Sequence, residues 1–132
     1  MERTLMIIKP DAVAGRHIGE ILARVELEAF NITGLRMLHL SVQQAESFYA
    51  IHRERPFFRG LVTYMTSGEV VVGRLERDDA INHWRKVIGA TDPTKAAPGT
   101  IRSLYGTDIE ANAVHGSDSV ENGVKETDFF FA

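Results

Sequence analysis

The chain has 132 residues, of which 44% are hydrophobic and 25% charged, with a formal net charge of −3 and no cysteine. This balance predicts one globular domain over residues 1–132; it excludes disulfides and thiolate metal sites, and it excludes a surface that attracts nucleic acid as a whole. No apolar run is long enough to span a membrane, and Met1-Glu2-Arg3-Thr4 opens directly into an apolar stretch, so neither leader nor membrane segment is expected and a cytoplasmic location is.

Thr4 to Ile8 predicts a buried strand that stops at Pro10, with Lys9 at its carboxyl end. Between His17 and Phe30, the residues Ile18, Ile21, Leu22, Val25 and Ala29 recur at helical spacing, with Asn31 as the stop. Ile32 to Leu40 reads as a strand, although its alternation is imperfect and Gly34 comes early. Ser41 to Gln44 matches a capping box and begins a helix with Ala45, Phe48 and Tyr49 on its apolar side. That helix must end before Pro56, which can open a second one carrying Leu61, Val62 and Met65. Adjacent aromatics at its start, Phe57 and Phe58, cannot face the same way, so one is expected near the surface, where it could stack on a flat ligand.

Gly68 closes this helix and Val70 to Leu75 forms a strand. Asp78 and Asp79 are expected to cap the next helix, and Gly89 to terminate it. Ile81, Trp84 and Ile88 mark its buried stripe. Arg85 is expected to share that side, needing either an anionic partner or a path to water. Ala90 to Ala111 shows little periodicity and contains Pro93, Pro98 and Gly99; an ordered loop bearing part of a site, Arg102 included, is expected. Asn112 to Ser119, NAVHGSDS, places His115 at the end of a short buried strand, and either Asp118 or Ser119 can cap a helix behind it. The histidines have no short metal-ligand spacing, so no metal held by side chains alone is expected.

NAVHGSDS is the most specific of several segments that occur in a fixed order: IIKPDAV from Ile7, FYAIHRERPFF from Phe48, TSGEVVV from Thr66, GATDP from Gly89 and PGTIR from Pro98. From Arg3 to Phe131 the chain resembles the nucleoside diphosphate kinase family. The resemblance implies a ferredoxin-like α/β sandwich, a four-stranded antiparallel sheet covered by helices. It implies that a nucleoside triphosphate such as ATP gives its γ-phosphoryl to His115 and a nucleoside diphosphate collects it, in ping-pong fashion and with broad base specificity. Lys9, Arg85, Thr91 and Arg102 correspond to residues that hold the phosphates. Phe57 corresponds to the aromatic on the base, and Asn112 to the residue that bonds the sugar together with Lys9. Tyr49, Ser117 and Glu126 correspond to supporting residues around the histidine. Magnesium is expected to arrive with the nucleotide.

The chemistry suits these residue types. A neutral imidazole is a competent nucleophile near pH 7, and its other nitrogen needs an acceptor, for which Glu126 is the candidate. Three cations can offset the charge that builds on a transferring phosphoryl group. Rival readings, a nucleotide binder without catalysis and a nucleic-acid-binding module, are disfavoured by the retained His115 with its phosphate ligands and by the acidic balance. Gly123 stands where the family often has alanine, which is expected to cost roughly 1 kcal/mol of helix stability. A homo-oligomer built from dimers is expected. Because the sequence stops soon after Phe129-Phe130-Phe131, any tetramer or hexamer is expected to be weaker than in longer relatives, with those aromatics packed.

Overall fold

The computed structural model describes residues 1–131. Strands β1 (Glu2–Ile8), β2 (Asn31–Leu38), β3 (Val70–Arg77) and β4 (Val114–His115) form one sheet in the order β2-β3-β1-β4. Every pairing is antiparallel, and Ile7 lies opposite both Val72 and His115. This is the ferredoxin-like order. Helices α1 (Pro10–Ala14), α2 (Ile18–Leu27), α3 (Val42–Phe48), α4 (Phe58–Met65), α5 (Ala80–Ile88), α6 (Ile101–Tyr105) and α7 (Val120–Phe131) complete the structure, with short 3-10 turns at Ala50–His52 and Pro93–Lys95. Among the described residues no helix is long and apolar enough to cross a membrane.

Both faces of the central strands are buried, which is why β1 reads as an unbroken apolar run rather than an alternating one. Met6 and Ile8 point into a core with Ile21, Val25, Trp84 and Ile88. Leu5 and Ile7 point the other way, toward Phe58, Val62, Met65 and Phe130. Phe130 is thus buried against its own chain, while Phe129 stays half-exposed. The imperfect alternation of β2 has a local cause. Its register against β3 shifts between Ile32 and Gly34, so Thr33 is an extra residue in the ladder.

Several boundaries differ from expectation. The helix placed at His17–Phe30 spans only Ile18–Leu27, because Ala29 adopts φ 65° and turns the chain into β2. Pro56 does not open a helix; α4 starts at Phe58, with Phe57 as its N-cap residue. Asp79 leads into α5 at φ 54° without a side-chain cap. The carboxylate that accepts an α5 amide, that of Ile81 at 3.2 Å, belongs instead to Glu2. Ser119, and not Asp118, caps α7, its hydroxyl accepting the Asn122 N–H at 3.0 Å. The capping box at Ser41 and Gln44 forms as expected. The Ala90–Ala111 segment is ordered and contains α6, begun by Thr100, whose hydroxyl accepts the Ser103 N–H.

Gly123 has a steric role that its helix propensity conceals. A Cβ there would lie 2.2 Å from the Arg3 carbonyl oxygen, so glycine is what lets α7 rest directly on β1.

Candidate active site

His115 ends β4, the edge strand beside β1, and its backbone is fixed from three sides. Its carbonyl accepts the Trp84 indole N–H at 3.2 Å. At the next residue, a Cβ on Gly116 would meet Trp84 at 2.7 Å, so the chain passes the indole only as glycine. One residue further, the Ser117 N–H donates to Thr4 Oγ1 at 3.2 Å, and Ser117 Oγ accepts the Leu5 N–H at 3.0 Å. Upstream, Ala113 stands at φ 75° with the Val114 N–H bonded to the Asn112 carbonyl at 2.9 Å, a γ-turn.

The ring of His115 is oriented by α7. Its Nε2 lies 2.7 Å from Glu126 Oε1, and the same oxygen accepts the Ser117 hydroxyl at 2.8 Å. A carboxylate can only accept, so the proton resides on Nε2 and the lone pair on Nδ1. Phe48 meets the imidazole edge-on, 5.9 Å between centroids. Tyr49 is buried and lines the same small hollow as His115, His52, Asp118 and Glu126. Burial, and secondarily the Glu126 charge, push the Tyr49 phenol well above its usual range, so it stays a neutral hydroxyl.

Next to this hollow, and sharing Gly116 and Asp118 with it, lies a cleft of about 550 Å³. Arg85, Thr91 and Arg102 are on its wall. Arg85 does not share the buried stripe of α5. It is one residue, some 100° of helix, past Trp84, and its exposed side chain leaves the stripe for the cleft. Its contact on the protein is a 3.3 Å hydrogen bond to the Asp118 carbonyl. Arg102 is held more firmly: Nη1 donates to the Gly89 carbonyl and Nη2 to the Val114 carbonyl, both at 2.9 Å, while buried Nε has no partner among the described residues. Burial first, then the neighbouring Arg85 charge, lowers its pKa to about 10. Among the described residues, neither arginine pairs with a carboxylate.

Lys9 and Asn112 are buried, each next to a residue of the cleft wall: Lys9 to Arg102 and Asn112 to Thr91. Burial, followed by the Arg102 charge, lowers the Lys9 pKa to about 8. Asn112 donates to the Thr91 and Ile109 carbonyls, each at 3.0 Å, and its Oδ1 is a buried acceptor without a partner among the described residues. Such an atom suits a hydroxyl brought by a ligand. Phe57 lies apart from the cleft wall, 51% exposed, its ring 5.4 Å from that of His52. Phe58 is the buried member of the pair. The residues that sequence reasoning missed are the supports: Thr4, Trp84 and Asp11, the last accepting the Ala113 N–H at 3.0 Å. Each acts from a distant part of the chain, and only the three-dimensional pairing reveals it.

The family model described as nucleoside diphosphate kinase matches residues 2–132. A nucleoside diphosphate kinase of Chlamydia abortus is 55% identical over 132 residues, covering 100% of this chain and 94% of the relative. That of Halorhodospira halophila is 57% identical over 131 residues, covering 99% and 93%. Among solved structures, the Aquifex aeolicus nucleoside diphosphate kinase superposes with a TM-score of 0.97 at 47% identity, covering 99% of this chain and 95% of that one. The Halobacterium salinarum nucleoside diphosphate kinase in complex with CDP gives 0.94 at 40% identity, covering 98% and 87%.

Proposed function

Because the chain belongs to the nucleoside diphosphate kinase family of phosphotransferases, we propose that it moves the γ-phosphoryl of a nucleoside triphosphate to a nucleoside diphosphate through a phosphohistidine at His115. The observation that carries this reading is the 2.7 Å contact between His115 Nε2 and Glu126 Oε1. With Nε2–H committed to Glu126, Nδ1 is the nucleophile. Attack forms an Nδ1–P bond as the bond from phosphorus to the β-bridging oxygen breaks, and the nucleoside diphosphate leaves with that electron pair. The charge that the ring gains is shared with Glu126. An incoming diphosphate then reverses the step.

Lys9, Arg85, Thr91 and Arg102 bind the phosphate oxygens in this reading; Lys9 also donates to a sugar hydroxyl, and the free Oδ1 of Asn112 accepts from one. Among the described residues the arginines have no carboxylate partner and are therefore ready to stabilise charge in the transition state. Phe57 offers a flat apolar face, and stacking tolerates any base, which accounts for broad specificity. Magnesium would arrive with the nucleotide and would supply charge neutralisation at the phosphates. Asp118, on the wall common to hollow and cleft, suits hydrogen bonds from the waters that such an ion retains. The CDP complex of the Halobacterium salinarum relative supports nucleoside diphosphates as ligands.

Incubation with γ-labelled ATP and magnesium tests the reading. His115 should acquire a label that survives alkali and is lost in acid, and adding any nucleoside diphosphate should discharge it. A labelled His115→Ala protein would overturn it.

A further inference from the structure

Asp11 lies in the first turn of α1, two residues after Lys9, and both of its carboxylate oxygens are taken. Oδ1 accepts the Tyr64 hydroxyl, and that hydroxyl accepts the Asp11 N–H at 3.1 Å. Oδ2 accepts the Ala113 N–H at 3.0 Å. The other polar group of Ala113, its carbonyl, accepts the Lys9 N–H at 2.8 Å. Ala113 is the residue at φ 75°, a conformation that an L-residue keeps only when its surroundings over-determine it. One carboxylate thus ties α4, whose N-cap is Phe57, to the turn between Asn112 and His115.

We propose that Asp11, backed by Tyr64, is a positioning residue of this site: it holds the turn that aims Asn112 and His115, and it supplies negative charge beside Lys9. The role rests on the phosphohistidine reading for its catalytic consequence only. Among the described residues three charged groups act on Lys9: Arg102 from α6, Asp11 from α1 and Glu110 from the loop between α6 and β4. Arg102 opposes the ammonium, whereas Asp11 and Glu110 favour it. Tyr64 is kept a hydroxyl donor, since burial and then Asp11 push its phenol far above the usual range.

The test uses Asp11→Asn and Tyr64→Phe in the full chain. Lysine-selective NMR of the nucleotide-free protein reads Lys9. In Asp11→Asn its titration should move down by about half a pH unit or more, because a facing negative charge is gone. In Tyr64→Phe, which keeps that charge, it should stay in place. Exchange of the Ala113 amide should quicken in both variants while that of Val72, in the middle of the sheet, does not. Transfer by Asp11→Asn should fall about 10- to 100-fold, mostly in kcat, and by Tyr64→Phe severalfold. An unmoved Lys9 titration in folded Asp11→Asn overturns the proposal, and so does full kcat in both variants. Should Asp11→Asn fail to fold, Tyr64→Phe decides alone: unchanged kcat and unchanged Ala113 exchange overturn it. The NMR outcomes hold whether or not His115 is phosphorylated, so failure here is distinct from failure of the phosphohistidine reading.

Discussion

Glu126 Oε1 receives two donors at once, His115 Nε2 at 2.7 Å and Ser117 Oγ at 2.8 Å. The serine fixes the oxygen and the oxygen fixes the ring. Glu126→Ala frees the imidazole to rotate and to exchange tautomers. The phosphorylation step, followed by stopped flow, should slow by about 10- to 100-fold, with nucleotide affinity nearly unchanged. An unaltered rate would remove Glu126 from the role.

Lys9 predicts an unusual pH dependence of stability. Its pKa falls from 10.5 to about 8 on folding. Between those values the unfolded chain binds more protons than the folded one, so stability rises with pH across that window. The gain is about 2–3 kcal/mol for this group by linkage. Urea unfolding of wild type against Lys9→Met, at the two ends of the window, should show wild type gaining on the variant as pH rises. Parallel behaviour would mean that Lys9 titrates normally.

Arg102 touches backbone carbonyls and, in the proposed reading, phosphate alone. Arg102→Ala should therefore lower turnover by a similar factor for every nucleotide and also lower the melting temperature, since the links to Gly89 and Val114 are lost. A change in base preference, measured across four diphosphates, would contradict the assignment.

Phe57→Ala should weaken adenine, guanine and cytosine nucleotides together, by about 1–3 kcal/mol of stacking. The ring is 51% exposed, so its removal should cost the fold little. Loss confined to one base in equilibrium titrations would indicate specific readout in place of stacking.

Gly123→Ala tests packing against propensity. Alanine favours a helix by about 0.8–1 kcal/mol, but here its Cβ would fall 2.2 Å from the Arg3 carbonyl oxygen. We expect net destabilisation of about 1–3 kcal/mol from the forced shift of α7. Activity should fall too, since Glu126 rides one turn further along the same helix. A raised melting temperature would show that α7 can move without cost.

The strands, the long helices and the place of His115 at the end of a short strand were legible in the sequence because each carries its signal within a few residues. What escaped was of two kinds. Helices α1 and α6 have five residues each, too few for a 3.6-residue period to register. The other kind was long-range: Glu2 reaching Ile81, Asp11 reaching Ala113, and Gly123 yielding to Arg3 are partnerships across the chain that no local pattern encodes. Arg85 was misplaced for a related reason. Its spacing fits the buried stripe, but a long flexible side chain follows the cleft and not the helical wheel.

The carbonyl anchors of Arg102 also bear on the thermodynamics of turnover. A free arginine side chain carries about 2 kcal/mol of rotamer entropy, and Arg102 surrenders much of its share when the protein folds, before any nucleotide arrives. Arg85, with one 3.3 Å side-chain hydrogen bond among the described residues, keeps most of its own. A ping-pong cycle admits and releases a nucleotide twice, so whatever must be ordered at each arrival is ordered repeatedly. In the proposed reading, dividing the work between a cation frozen in advance and one still mobile would let the first define where a phosphate rests. The second would follow the phosphoryl group as it moves, and would let go.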